Sequence, residues 1–151
     1  MFRLETHCHT AEVSRCGKVP AAQLVKELKR SGFDGAVITD HFYHGYLDTI
    51  SGSWKDKIDH YLAGYFAARE AGEQVGMRIF CGMEFRTTEN SNDYLVFGVT
   101  PELLYHRPEL HRCSVAELRE LADQAGLLIV QAHPFRTGLF RENPAMLDGV
   151  E

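Results

Sequence analysis

Long apolar runs are absent from the 151-residue sequence, and no stretch approaches the roughly 20 apolar residues that a membrane-spanning helix needs. The start, Met-Phe-Arg-Leu-Glu-Thr-His, lacks a basic segment followed by an apolar one, so we expect no signal peptide. The four cysteines form no CxxC pair, and we expect them to be free thiols. These absences together predict a cytoplasmic protein without a membrane partner.

Internal repeats, low-complexity segments and domain linkers are also absent, and the chain length fits one domain, which we expect to cover residues 1–151. The formal net charge is -5, so the chain has no bulk attraction for nucleic acid or anionic membranes. Nucleic acid is therefore expected only as a substrate. A small phosphorylated substrate stays compatible with this charge, because a bound dication can reverse the local field.

Strand and helix patterns alternate along the chain. Strands are predicted at residues 2–9, 35–39, 77–84, 93–99 and 127–132, and a sixth begins at 148–151. Helices are predicted at 21–30, at 54–74 and at 115–125, the last with a capping box formed by Ser114 and Glu117. Continuous apolar strands between helices indicate a parallel sheet covered by helices. An open doubly wound sheet and a barrel both fit. The polar residues favour the barrel, because they follow strand ends, where barrel enzymes place their sites.

Two histidines, His7 and His9, lie two residues apart on the first predicted strand. Because strand side chains alternate, both imidazoles project from one face and can bind one cation. The alternative for this pair alone is two surface or hydrogen-bonded histidines. Glu5 lies one step back on the same face, where it either orients a ligand imidazole or remains a solvated carboxylate.

Three further strands end in ionisable side chains: His41 after Asp40, Glu84, and His133 before Pro134. Such a group at the end of a buried strand is costly unless it is paired or binds a metal. A carboxylate such as Glu84 can also bridge two cations. Each residue alone fits a satisfied core polar group, but four strand ends in His or Glu together predict a multi-metal site. Asp40 is expected to cap the following turn.

Two arginines follow proposed ligands closely: Arg86 comes two residues after Glu84, and Arg136 three residues after His133. This spacing predicts guanidinium groups at the edge of the site, suited to bidentate contact with phosphate. The alternative is a pair of solvated surface arginines. The remaining histidines are expected to be ordinary loop or helix-face residues: His44, His60, His106 and His111.

Four motifs resemble those of the PHP family, named for polymerase and histidinol phosphatase: His7-x-His9, Thr39-Asp40-His41, Gly82-Met83-Glu84 and His133-Pro134. They occur in the family's order and spacing over nearly the whole chain. The resemblance implies an α/β fold, a distorted (βα)7 TIM-like barrel, with two or three Zn²⁺, Mn²⁺ or Fe ions that hydrolyse phosphate esters. It also implies that His7, His9 and Glu84 bind the first metal, Glu84 and His133 the second, and His41 a third.

Three positions depart from the family's pattern. A histidine common in the fourth strand is missing from Asn92-Asp93-Tyr94-Leu95, where Tyr94 is the nearest match. The loop after His9 commonly offers a His or Asp to the third metal, and here Glu12 is the candidate substitute. The last ligands, an Asp and a His of the closing strands, are expected after residue 151. The resemblance therefore predicts five or so βα units of an incomplete barrel, which a further segment or a second chain completes.

The leading hypothesis is a histidinol-phosphatase-like metal-dependent phosphoesterase, in which a metal-bridging hydroxide attacks phosphorus. Arg86 or Arg136 would neutralise charge on the phosphoryl oxygens. A second hypothesis is a metal-binding module without catalysis, favoured by Tyr94 and the missing ligands. A third is C–N hydrolysis of the amidohydrolase type, which also begins with a His-x-His strand. Such enzymes more usually bridge their metals with a modified lysine, and predicted strands three to five contain no lysine.

Overall fold

The computed structural model describes residues 1–151, with seven strands in one curled sheet and six α-helices. The strands are β1 (Leu4–Cys8), β2 (Gly35–Ile38), β3 (His41–Phe42), β4 (Arg78–Arg86), β5 (Asp93–Phe97), β6 (Leu128–Gln131) and β7 (Gly149–Val150). The helices are α1 (Ala21–Arg30), α2 (His44–Leu47), α3 (Trp54–Tyr61), α4 (Ala63–Val75), α5 (Pro101–Tyr105) and α6 (Val115–Ala125). None of them has both the length and the apolar composition that a bilayer crossing requires.

The sheet is an α/β half-barrel. Its strand order is β1-β2-β4-β5-β6-β7, and β3 pairs with β4 beyond the end of β2. Strands β1, β2 and β4 run parallel, as do β6 and β7. The edge strands β1 and β7 do not pair with each other, so the barrel stays open between them.

The prediction of a parallel sheet is wrong for β5, which runs antiparallel to both β4 and β6. Its connection to β4 spans residues 87–92. That is shorter than the dozen or more residues that a parallel crossover needs, so the chain turns straight back. As a result, Arg86 lies opposite Asp93, and Glu84 lies opposite Leu95.

Two of the three predicted helices are confirmed over their whole ranges, and the third is interrupted. Helix α6 begins after Ser114, whose hydroxyl accepts the Glu117 backbone N–H in the predicted capping box. The helix predicted over residues 54–74 breaks at Leu62 into α3 and α4. Leu62 is fully buried, and the break lets α3 pack on α5 while α4 packs on α1 and β4.

The helices cover one face of the sheet, and the other face is concave and open. Side chains from five strands line an apolar cavity of about 350 Å³ on the concave face, among them Leu4, Val37, Phe80, Phe97 and Leu128. Leu128 keeps 54% of its surface exposed there. Because side chains alternate along β4, Glu84 faces the same concave side as Phe80. The proposed ligands therefore lie at the carboxyl end of the half-barrel interior.

Candidate metal centre

Four imidazoles from three separate segments surround the carboxylate of Glu84, which is 1% exposed. Glu84 Oε1 lies 3.4 Å from His7 Nε2 and 3.0 Å from His133 Nε2. Glu84 Oε2 lies 3.2 Å from His9 Nε2 and 2.8 Å from His41 Nδ1. Each carboxylate oxygen thus faces two imidazole nitrogens, an arrangement that suits a carboxylate bridging two cations.

The hydrogen bonding of this cluster is incomplete, and the atoms left without a partner indicate whether a metal ion would fit. Glu84 Oε2 is buried and receives no hydrogen bond, and His133 Nδ1 is buried without a partner. The Nε2 atoms of His7 and His9 lie 3.0 Å apart. An unsatisfied buried carboxylate oxygen is unfavourable unless a cation compensates it. Imidazole and carboxylate are also the donors that zinc, manganese and iron accept, so the donor set fits a divalent transition metal.

Local strand geometry brings these side chains together. The pairing of β1 with β2 shifts register between Glu5 and Cys8, in the part of β1 that carries His7. The two-residue strand β3 resumes parallel pairing after β2 and sets His41 directly opposite Glu84. His133 has a φ of 36°, which is unusual for a residue with a side chain. Pro134 follows it, and the His133 carbonyl accepts the Arg136 backbone N–H at 3.0 Å. Backbone strain of this kind clusters at functional sites.

The buried side chain of Asp40 holds the loop that follows β1. Its Oδ1 accepts the Thr10 backbone N–H at 2.8 Å and the Ser14 hydroxyl at 2.6 Å, and its Oδ2 accepts the Thr10 hydroxyl at 2.7 Å. Burial raises the pKa of Asp40, although the hydrogen bonds from Ser14 and Thr10 act in the opposite direction. The expectation that Asp40 caps the following turn is wrong, because its carboxylate anchors an earlier loop.

Charge pairing defines the cluster before any cation binds. Burial alone would lower the pKa of His7, but its hydrogen bonds to Glu84 and Glu151 outweigh burial and raise that pKa to about 9. Burial likewise opposes ionisation of Glu84, yet the close imidazoles of His41, His7 and His9 hold the pKa of its carboxyl well below the usual range. His7 Nδ1 lies 3.0 Å from Glu151 Oε1. A cation that binds His7 must therefore displace the proton of that imidazole.

The two arginines lie in different environments. Arg86 donates from Nε to Asp93 Oδ1 at 2.8 Å and from Nη2 to Asp93 Oδ2 at 2.9 Å, so one side of its fork is engaged. Arg136 is exposed and lines the same cleft, of about 460 Å³, as the imidazoles and Glu84. Arg136 is therefore the guanidinium that is open to a bound anion.

Glu12 and Tyr94 point away from the cluster. The exposed Glu12 carboxylate accepts the Ala21 backbone N–H at 3.0 and 3.1 Å and so caps α1. Tyr94 is fully buried on the helix-covered face, and its hydroxyl donates to Glu142 at 2.6 Å. The other histidines do not line the cleft: His44, His60, His106 and His111.

Sequence reasoning missed two residues that the structure brings to the cluster. Asp93 is 1% exposed, and its carboxylate groups with His41 and Glu84 as a set that could hold a metal. The length of the 87–92 loop was a usable signal for an antiparallel return. The register of that return, with Arg86 opposite Asp93, puts Asp93 rather than Tyr94 on the face of Glu84. Cys16 forms a similar set with His9 and His41. The sequence gave no sign of this set, because Cys16 is not part of a CxxC pair.

Comparison with protein-family models and with curated proteins finds no match. Solved structures do match. One is a two-domain protein from Bacteroides vulgatus that is described as containing a predicted PHP-like metal-dependent phosphoesterase. It matches 99% of this chain with a TM-score of 0.69 and 16% identity. A candidate metal-dependent phosphoesterase from Bifidobacterium adolescentis shares 16% identity with a TM-score of 0.60 over 99%. An amidohydrolase from Chromobacterium violaceum, solved with sulfate and no metal, shares 12% with a TM-score of 0.61 over 98%.

The chain spans 43% of the Bacteroides protein, 77% of the Bifidobacterium protein and 76% of the amidohydrolase. At these identities the likeness concerns the fold. The α/β half-barrel of this chain is therefore similar to part of the fold found in those proteins.

Proposed function

We propose that this protein is a metal-dependent hydrolase of phosphate esters, using two or three Zn²⁺, Mn²⁺ or Fe ions. The observation that carries the proposal is the Glu84 carboxylate, each of whose oxygens faces two imidazole nitrogens. The fold likeness to proteins described as metal-dependent phosphoesterases supports it. We further propose that residues 1–151 form one domain, that it acts in the cytoplasm, and that its substrate is small and phosphorylated.

The chain's own residues have separate roles in this proposal. Glu84 would hold the cations together with four imidazoles that line the same cleft: His7, His9, His41 and His133. Bound metals supply hydroxide at neutral pH and neutralise charge at phosphorus. Arg136 binds a phosphoryl oxygen pair from the edge of the cleft. Asp93 holds Arg86 in place, and the Asp40 network holds the loop beyond His9.

Elemental analysis combined with a turnover assay tests the proposal. The purified chain is expected to retain zinc, manganese or iron and to hydrolyse p-nitrophenyl phosphate or histidinol phosphate when Mn²⁺ is added. Retained metal without turnover on either ester would support a metal-binding module instead. Absence of both metal and turnover would contradict the proposal.

A second candidate is C–N hydrolysis, because one structural neighbour is an amidohydrolase. No lysine lines the cleft, so the modified lysine that commonly bridges metals in such enzymes has no counterpart here. Turnover of a carboxamide in preference to a phosphate ester would favour this candidate.

We also propose that the open concave face is part of a seven-unit barrel, completed by a further segment or by a second chain. Two apolar side chains at the open side of the sheet, Leu128 and Val150, keep 54% and 64% of their surface exposed. Exposed apolar surface of this kind commonly marks a site that another protein surface covers. A dimer by sedimentation that dissociates on Leu128→Glu would support a second copy. A chain that sediments as a monomer even at high protein concentration would exclude a second copy as the partner.

Arg136 offers a prediction that separates the two kinds of hydrolysis. Arg136→Lys is expected to lower kcat/KM for a phosphate ester at least tenfold, about 1.4 kcal/mol, because a point charge cannot reproduce the guanidinium fork. Turnover of a neutral carboxylic ester should change little. Arg107→Lys, the same change at an exposed residue outside the cleft, serves as the control. If Arg136→Lys and Arg136→Ala both keep full phosphatase activity, Arg136 is a solvated bystander.

A further inference from the structure

Cys16 lies in the loop between β1 and α1, at the mouth of the metal cleft. Its Sγ, one ring nitrogen of His9 and one of His41 all lie within 4.8 Å of one another. The thiol is free, and the residue is exposed. Two imidazoles and a sulfur at this separation supply three of the four donors of a tetrahedral zinc site.

The loop around Cys16 is fixed by contacts that do not involve the sulfur. The Ser14 hydroxyl donates to Asp40, and the His41 backbone N–H donates to that hydroxyl at 3.0 Å. The Gly17 backbone N–H donates to the Ser14 carbonyl at 2.9 Å. A Cβ on Gly17 would lie 2.3 Å from the Thr10 carbonyl oxygen, so the loop folds back too tightly for a larger residue there. Cys16 is consequently presented to the cleft by a preformed loop.

A second observation points to a cation beside these three residues. Glu84 Oε2 is buried and accepts no well-directed hydrogen bond, although His9 Nε2 lies 3.2 Å from it and His41 Nδ1 lies 2.8 Å from it. These are the same two imidazoles that flank Cys16. A cation between His9, His41 and Cys16 would compensate this carboxylate oxygen as well. Glu12, the other acidic or sulfur donor in the loop, is engaged at the N-terminus of α1.

We propose that Cys16 is a metal ligand, and that His9, Cys16 and His41 with Glu84 Oε2 form a thiolate-containing site selective for Zn²⁺ over Mn²⁺ or Mg²⁺. On binding, the thiol loses its proton to solvent and the thiolate sulfur donates its electron pair to the cation. Soft thiolate favours zinc, whereas an all-oxygen or imidazole-oxygen site accepts manganese and magnesium more readily. The inference rests on the proposed metal-dependent function but concerns a ligand, and it can be tested without turnover.

Cobalt substitution gives the direct test. The metal-free protein is titrated with Co²⁺, and the near-ultraviolet sulfur-to-cobalt charge-transfer absorption is recorded for the wild type, Cys16→Ser, Cys16→Asp and the control Cys113→Ser. We expect the band in the wild type and in Cys113→Ser, and its loss in both Cys16 variants. Cys16→Ser should also bind Zn²⁺ at least tenfold more weakly. Cys16→Asp should bind Mn²⁺ at least as well as the wild type does.

Alkylation provides a second measurement on the unmodified protein. Cys8 and Cys81 are buried, so Cys16 should be the cysteine most rapidly alkylated in the metal-free chain. Zn²⁺ is expected to slow alkylation of Cys16 at least tenfold, as read by peptide mass spectrometry, and to leave Cys113 unaffected. Circular dichroism of Cys16→Ser checks that its fold is intact.

The outcomes separate this inference from the proposed function. Cobalt bound without the charge-transfer band, or a band that survives in Cys16→Ser, overturns the thiolate ligand while leaving a phosphatase assay free to succeed. A band that depends on Cys16, together with no turnover of any phosphate ester, upholds the ligand and overturns the phosphoesterase proposal. A wild-type chain that binds neither Co²⁺ nor Zn²⁺ overturns both.

Discussion

Replacing Glu84 by glutamine is expected to remove at least one bound metal and to lower phosphatase kcat by a factor of at least a hundred. The substitution preserves shape but deletes the negative charge to which four imidazoles are directed. It also places an amide group, with its two N–H donors, where both oxygens now face ring nitrogens. The proposed two-metal mechanism needs both ions, so a variant that holds fewer ions would lose most of the hydrolytic rate.

Metal content by mass spectrometry and single-turnover kinetics measure this effect. Glu120→Gln, the same chemical change at an exposed position of α6, is the matched control and should retain wild-type metal content and rate. Thermal unfolding of the metal-free forms distinguishes loss of metal from loss of fold. Unchanged stoichiometry and rate in Glu84→Gln would refute the bridging role.

Gly64→Ala is expected to destabilise the protein, although the same change in an unobstructed helix stabilises it by roughly 1 kcal/mol. A Cβ on Gly64 would lie 2.1 Å from Thr10 Oγ1 and 3.0 Å from Asp40 Oδ2. Helix α4 therefore approaches the Asp40 network as closely as a residue without a side chain permits. Overpacking of a buried contact costs about 1–3 kcal/mol, so the clash should outweigh the gain in helix propensity.

Chemical denaturation of Gly64→Ala measures the sign of this effect. Ala63→Gly, at the adjacent exposed position of the same helix, isolates helix propensity and should cost at most about 1 kcal/mol. Because Thr10 anchors the loop that carries Cys16, Gly64→Ala should also weaken Zn²⁺ retention. A rise in the unfolding midpoint of Gly64→Ala would show that Thr10 moves aside without cost.

The sequence predicted most strand and helix positions because local patterns determine them. The alternation around His7 and His9, the buried run before Asp40 and the capping box at Ser114 are each readable from neighbouring residues. The direction of β5 was not readable from its apolar run, since parallel and antiparallel central strands have similar composition. Only the short connection between Arg86 and Asp93 distinguishes them.

Prediction of the metal centre depended on the same distinction. The sequence singles out five candidate ligands because ionisable groups at apolar strand ends are conspicuous, and the structure brings them together in one cleft: His7, His9, His41, Glu84 and His133. Asp93 was overlooked because its face depends on the register in which β5 pairs with β4. Glu12 was preferred to Cys16 because sequence alone does not show that the N-terminus of α1 engages the carboxylate.

The antiparallel return at β5 also has a kinetic consequence. Arg86 and Asp93 are 7 residues apart in sequence, whereas Cys8 and Thr39, which join β1 to β2, are 31 apart. Closing a short loop costs less chain entropy, so the β4–β5 hairpin should form before the parallel pairs during refolding. His7 and His9 then reach Glu84 only after β1 has paired with β2, a slower step because the two strands are far apart in sequence. Zn²⁺ should accordingly slow unfolding in stopped-flow experiments and leave the refolding rate unchanged, because its ligands meet after the rate-limiting step.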